Sequence, residues 1–184
     1  STKLTFIGST DKDVNVNFTG GSGDDTLTTG TITEDAGDTL TGGFGEDTFN
    51  IIATGQTAVI TDLGQGGRDA IIVENSAKGV IATVTHDYDT PLTTMNNKAS
   101  FTDVVLNAES GVDIDMSQAS GSFGFVINGG AASSTLKGSN FDDSISGNSR
   151  ADNLSGNSGD DTVLGGGGND IINTGLGNGY IKDA

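Results

Sequence analysis

The sequence predicts an all-β chain of short strands joined by glycine-aspartate turns, and three observations carry that reading. A nine-residue unit repeats six times without a gap from Gly129 to Lys182. Glycine, 30 residues in all, opens five of those six units. No helical period persists for three turns, whereas short apolar runs bounded by turn residues recur throughout.

The six units are GGAASSTLK, GSNFDDSIS, GNSRADNLS, GNSGDDTVL, GGGGNDIIN and TGLGNGYIK. Their eighth place is always aliphatic: Leu136, Ile145, Leu154, Val163, Ile172 and Ile181. Asp143, Asp152, Asp161 and Asp170 fill the sixth place of the four middle units. A fixed period of this kind marks a repeat architecture. A second, less regular array lies near the N-terminus. GGSGDDTLT (Gly20 to Thr28) fits every place of the pattern, and after four extra residues TEDAGDTLT (Thr33 to Thr41) runs directly into GGFGEDTFN (Gly42 to Asn50). Here Asp25, Asp38 and Asp47 hold the sixth place, and Leu27, Leu40 and Phe49 the eighth. After a spacer, GQGGRDAII (Gly64 to Ile72) sets Asp69 and Ile71 in the same places. Phe18 stands nine residues before Leu27, which predicts a capping strand over about Val14 to Phe18.

Three parts follow: 1–72, capping strands and first array; 73–128, an interposed β segment; 129–184, the second array. The interposed segment has no glycine-aspartate turns but carries β-like runs at Val80 to Thr85, Phe101 to Asn107, Val112 to Met116 and Phe123 to Ile127. Val112, Ile114 and Met116 alternate with Asp113 and Asp115, the period of a strand buried on one face. Asp87 to Ser100, which holds the only proline, Pro91, reads as a surface loop.

The charge is −17, from 25 acids against 8 Lys and Arg. Such a chain repels nucleic acid and anionic lipid, so neither is expected as a direct partner. No apolar run approaches the ~18 residues of a membrane span. With no cysteine there is no disulfide framework, thiolate metal site or thiol nucleophile. Ser1 in place of an initiator methionine predicts a fragment or processed form. Leu, Ile, Val and Phe together make 43 of 184 residues, just above the roughly 20% below which a highly charged chain stays disordered. An x-U-x strand that turns one large apolar residue inward and two outward needs only one such residue per nine.

The pattern G-G-x-G-x-D-x-U-x, matched in full by GGSGDDTLT, GGFGEDTFN and GGGGNDIIN, resembles the RTX calcium-binding repeat over residues 20–72 and 129–182. The resemblance implies a parallel β-roll with two repeats per coil, so that residue i lies above i+18. Asp143 then stacks with Asp161, and Asp152 with Asp170 on the opposite edge. Adjacent strands stand about 4.8 Å apart, so two stacked carboxylates can share one ion at about 2.4 Å from each. Without the ion they repel by roughly 3 kcal/mol at an effective dielectric of 20. In the family, carbonyls of the second and fourth turn residues join the Asp, facing carbonyls of the first and third residues and the Asp one coil on. That implies Ser139, Phe141 and Asp143 with Gly156, Ser158 and Asp161. It also implies Asn148, Arg150 and Asp152 with Gly165, Gly167 and Asp170, and Gly21, Gly23 and Asp25 with Gly42, Phe44 and Asp47. Asp62 and Asp69, in ITDLGQGGRDAII, resemble the closing turn of such rolls. Ser134 and Gly179 stand where Asp is expected, which predicts weak binding at the ends of the second array.

The resemblance further implies several bound Ca²⁺ ions and secretion through a one-step type I channel, with folding on external calcium. The composition is most similar to surface-layer proteins and adhesins at the bacterial cell surface, whose partners would be further copies or a surface glycan. The alternative is the C-terminal calcium-binding region of a secreted protease, lipase or toxin. In either case no catalysis is expected: His86 lacks an H-E-x-x-H context and no G-x-S-x-G elbow occurs. Asp87, Asp89, Asp113 and Asp115 read as solvated acids.

Overall fold

The computed structural model describes residues 2–9, 15–30, 37–52, 57–74, 77–91, 94–97 and 103–182. Among these every strand pairing is parallel, and the strands fall into three sheets. A long nine-stranded sheet runs the length of the molecule: β2 (Asn17–Gly21), β4 (Thr39–Gly43), β6 (Ala58–Leu63), β8 (Val80–Val84), β11 (Val104–Ala108), β14 (Val126–Asn128), β16 (Ser144–Asn148), β18 (Thr162–Gly166) and β20 (Tyr180–Lys182). A six-stranded sheet serves the N-terminal part: β1 (Thr5–Ile7), β3 (Thr26–Thr28), β5 (Thr48–Ile51), β7 (Ala70–Val73), β10 (Met95–Asn96) and β13 (Ser120–Gly121). A five-stranded sheet serves the C-terminal part: β9 (Tyr88–Asp89), β12 (Ile114–Asp115), β15 (Thr135–Lys137), β17 (Asn153–Ser155) and β19 (Ile171–Asn173).

This is the parallel β-roll that the repeats imply. The three-residue repeat strands β3, β15 and β17 bury only their central side chain: Leu27, Leu136 and Leu154 are fully buried between half-buried or exposed neighbours. In the second array Ile145 pairs with Val163, and Leu154 with Ile172, each two nonapeptides apart as expected. In the first array Leu27 pairs with Phe49, so the coil there takes up the four-residue insertion as well as its two nonapeptides.

Between β8 and β14 the chain visits all three sheets on each circuit. The order is β8, β9, β10, then β11, β12, β13, then β14. The cross-section therefore passes from two-sided to three-sided and back. A third side needs a longer coil, and the circuit that pairs Tyr88 with Ile114 is nearly half as long again as the one that pairs Ile145 with Val163. The span from Asp87 to Ser100 is thus not a surface loop. It contributes β9 and β10, and buries Tyr88, Thr90, Thr94 and Asn96; residues 92–93 and 98–100 lie outside the described part. Tyr88 is held inside because its hydroxyl donates to the Asp69 carbonyl at 2.7 Å. The capping strand is β2, displaced towards the C-terminus from the expected Val14–Phe18, and Val14 is outside the described residues. Phe6 and Phe18 stack at this end with ring centroids 5.2 Å apart.

Candidate metal centre

Seven of the eight sixth-place aspartates line the edges of the roll as three ladders, and Asp38 stands apart from them. At the edge between the long and N-terminal sheets, Leu4 N–H donates to Asp25 Oδ1 (2.7 Å), Asp25 N–H to Asp47 Oδ1 (2.7 Å) and Asp47 N–H to Asp69 Oδ1 (2.9 Å). Where the C-terminal sheet leads into the long sheet, Phe125 N–H donates to Asp143 Oδ1 (2.6 Å) and Asp143 N–H to Asp161 Oδ1 (2.8 Å). On the opposite edge Ser134 N–H donates to Asp152 Oδ1 (2.8 Å) and Asp152 N–H to Asp170 Oδ1 (3.0 Å). Each aspartate therefore anchors the coil before its own through one oxygen.

The second oxygen divides the turns into two kinds. Asp69 Oδ2 accepts from Gly64 N–H (2.8 Å), Asp143 Oδ2 from Ser139 N–H (2.6 Å) and Asp152 Oδ2 from Asn148 N–H (3.0 Å). Asp25, Asp47 and Asp161, each only 1% exposed, leave Oδ2 buried with no donor. An unsatisfied buried acceptor costs about 1–3 kcal/mol, more when charged. All three open turns carry glycine at the fourth place (Gly23, Gly45, Gly159). In two of them the second and fourth residues take positive φ: Gly43 (95°) with Gly45 (138°), and Asn157 (73°) with Gly159 (125°). That conformation is open to glycine and tolerated by asparagine. The closed turns 138–143 and 147–152 contain no residue at positive φ, and there the second N–H points at the carboxylate.

Burial pushes these carboxyls up. Asp47 rises to about 6, chiefly by desolvation, with Asp25, Asp62 and Asp24 adding repulsion against the ladder bond to Asp25 N–H. Desolvation likewise takes Asp69 and Asp143 to about 7 and raises Asp161.

The first-place glycines keep space beside Oδ2. A methyl group at Gly20 would collide with both Asp25 Oδ2 and the Gly42 carbonyl one coil on, and one at Gly156 with Asp161 Oδ2 and the Thr174 carbonyl. Sequence reasoning saw this glycine recur but missed its role as clearance. Of the turn pairs implied by the resemblance, Gly21–Asp25 stacks on Gly42–Asp47, with Phe44 N–H on the Gly21 carbonyl (2.7 Å). Asn148–Asp152 stacks on Gly165–Asp170, with Gly167 N–H on the Asn148 carbonyl (2.8 Å). Ser139, Phe141 and Asp143 stack on Gly156, Ser158 and Asp161 through the Asp143–Asp161 rung. Arg150 N–H is taken by Asn148 Oδ1. Asp62 accepts from Gly42 and Gly43 N–H (2.9 and 2.8 Å), closing the neighbouring turn with both oxygens. Asp38 accepts from Val16 and Gly30 N–H (3.1 and 3.0 Å).

Outside the repeats, Asp113 and Asp115 are half-buried rather than solvated. Burial works against Asp115, but its hydrogen bonds to Lys137 (2.7 Å) and Ser117 hold its carboxyl below the usual value. Among the described residues no three acidic or histidine side chains converge on one point. A metal on the ladders would thus rely on carboxylates together with turn carbonyls. Those are hard oxygen donors with no nitrogen or sulfur, a set suited to Ca²⁺, and the donorless Oδ2 atoms fit it.

Fold and turns define a parallel solenoid whose edges carry buried, donorless carboxylate oxygens. A family model for the RTX calcium-binding nonapeptide repeat matches in four copies, at residues 15–31, 33–50, 128–149 and 146–181, and the chain belongs to that family. RTX repeats bind Ca²⁺ and occur in secreted proteins, so the chain is a calcium-binding module of a secreted protein. No curated protein and no solved structure matches it. No helix is long and apolar enough to cross a membrane among the described residues.

Proposed function

We propose that the chain is a structural and assembly module of a type I-secreted bacterial surface protein, of the surface-layer or adhesin kind, folded and associated by external Ca²⁺. The observation that carries this reading is the set of buried, donorless oxygens on Asp25, Asp47 and Asp161. Ca²⁺ would be held by these carboxylates and the carbonyls of the stacked turns, beginning with Gly21–Asp25 over Gly42–Asp47. The ion supplies charge neutralisation that the fold lacks, and its binding free energy becomes folding free energy. Extracellular calcium modules bind at about 10⁻⁴–10⁻³ M, which leaves them empty inside a cell and filled outside.

Self-association is supported by the outer face of the long sheet. Asn17, Thr39, Val59, Ile81, Val105 and Val126 stack along it without a charge, although the chain carries −17. Two copies, or a copy and a surface glycan, can approach there without repulsion. The module acts without catalysis, nucleic acid or membrane insertion. Chelation should lower the β-type circular dichroism and Ca²⁺ restore it; a spectrum indifferent to both would remove calcium from the reading. Particle size by light scattering should grow with Ca²⁺. A constant monomer would return the module to the calcium-binding region of a secreted protease, lipase or toxin.

A further inference from the structure

Calcium dependence is not uniform along this solenoid. We infer that Ca²⁺ is taken by the outer turns alone, and that the three-sided segment, with the closed turns that abut it, is a metal-independent folded core. The inference rests on the calcium reading above and assigns a role to the segment the repeats leave out.

Position along each ladder is the first ground. Asp69, Asp143 and Asp152 are the ladder members nearest the three-sided segment, and each has both oxygens satisfied by backbone N–H groups. Asp25, Asp47 and Asp161 lie further out, and theirs are the oxygens left without a donor. A donated N–H already does at the inner turns, and at Asp38 in the first array, what an ion must do at Asp25, Asp47 and Asp161. Turn composition explains the difference. Ser139 with Phe141, and Asn148 with Arg150, keep ordinary φ, whereas Gly43 with Gly45 and Asn157 with Gly159 turn their N–H groups away. In the 64–69 turn the positive φ values fall at the first and third places, Gly64 (86°) and Gly66 (88°), out of phase with the open turns, and Gly64 N–H is delivered to Asp69.

Packing is the second, independent ground. Among the described residues, thirteen apolar side chains are buried between Ala77 and Ile127, including Tyr88, Met116 and Phe125. Only four are buried from Gly129 to Lys182, and four from Thr2 to Thr57. Among the described residues, no buried side-chain polar atom of the three-sided segment lacks a partner. The Tyr88 hydroxyl donates to the Asp69 carbonyl (2.7 Å), and Asn96 Nδ2 to the Gly124 carbonyl (2.5 Å).

Hydrogen exchange of the full chain, read by mass spectrometry in chelator and in 10 mM Ca²⁺, tests this. In chelator, peptides within 58–155 should exchange at least 100-fold more slowly than those within 17–50 and 156–182. Calcium should slow the outer peptides at least 100-fold and the inner ones by no more than a few-fold. Inner peptides that exchange as fast as outer ones in chelator would overturn the inference, as would outer peptides already protected there. If Ca²⁺ alters no peptide, the calcium reading itself falls, while the order of exchange in chelator still decides this one. Asp25→Asn supplies a second readout. Calcium protection should disappear from 17–50 only; its loss across 58–155 would show that the core depends on the ions.

Discussion

The three-sided segment and the two-sided rolls solve the same problem with different chemistry. Both must close parallel coils around an axis. Among the described residues the segment encloses thirteen buried apolar side chains between Ala77 and Ile127, within coils as long as the one from Tyr88 to Ile114. The second roll closes each coil with two nonapeptides, as from Ile145 to Val163, and buries only four apolar side chains between Gly129 and Lys182. At about 1.5–3 kcal/mol per buried side chain, one strand residue per nonapeptide is a small return against about 1–2 kcal/mol of backbone entropy per residue. A roll this thin must draw on its edges. The aspartate ladders provide that where N–H groups meet both oxygens, and create a demand for a cation where they do not. A thin core and an acidic edge are two halves of one solution.

The largest effect expected from a single substitution lies in the apolar region. Phe125 is fully buried where the three-sided segment meets the second roll. Phe125→Ala should cost about 3–5 kcal/mol in urea denaturation, in chelator and in Ca²⁺ alike. Val163→Ala, at the fully buried centre of the outer repeat strand β18, should show most of its cost only where calcium has folded the roll. Equal losses for both variants in chelator would erase the distinction between the regions.

Much of this architecture was legible from residue order. The strand centres Leu136, Ile145, Leu154 and Val163, the register of two nonapeptides per coil and the sixth-place carboxylates all follow from a side chain that repeats. The third side was not. Tyr88–Asp89, Met95–Asn96 and Ser120–Gly121 are strands of two residues, too short for an alternation to declare itself, and Pro91 with its neighbours carries the composition of a loop. Nor was the division between open and closed turns read. It depends on which way a backbone N–H points; glycine against Phe141 or Arg150 at the fourth place marks it in the second array, but the closed 64–69 turn carries Gly67 at that place too.

A smaller effect, with a change of sign, is expected at Asp47. Asp47→Asn removes a buried charge with no donor while keeping an acceptor for Asp25 N–H. In chelator it should stabilise the first roll by about 1–3 kcal/mol, the cost of the unsatisfied group. In Ca²⁺ it should destabilise the same roll, because a neutral amide replaces a ligand. Calorimetry in the two conditions reads both signs; the same sign in each would show that Asp47 plays no part in metal binding.

The mildest test is pH, since the ladder hydrogen bonds oppose the effect of burial at the same carboxyls. Asp47 at about 6 and Asp69 and Asp143 at about 7 all lie above their ordinary 3.8. Between about pH 4 and 7 the folded chain therefore holds protons that the unfolded chain has lost. Stability must then fall as pH rises through that window and level off above it. Metal-free protein should melt higher at pH 5 than at pH 7.5. Calcium should reverse this for the first roll, because protons compete with the ion for Asp47. For the core, where Asp69 and Asp143 meet N–H groups instead, the fall with pH should persist at saturating Ca²⁺. A reversal in both regions would place ions at the inner turns as well, and the contrast between an apolar core and ion-filled rolls would have to be redrawn.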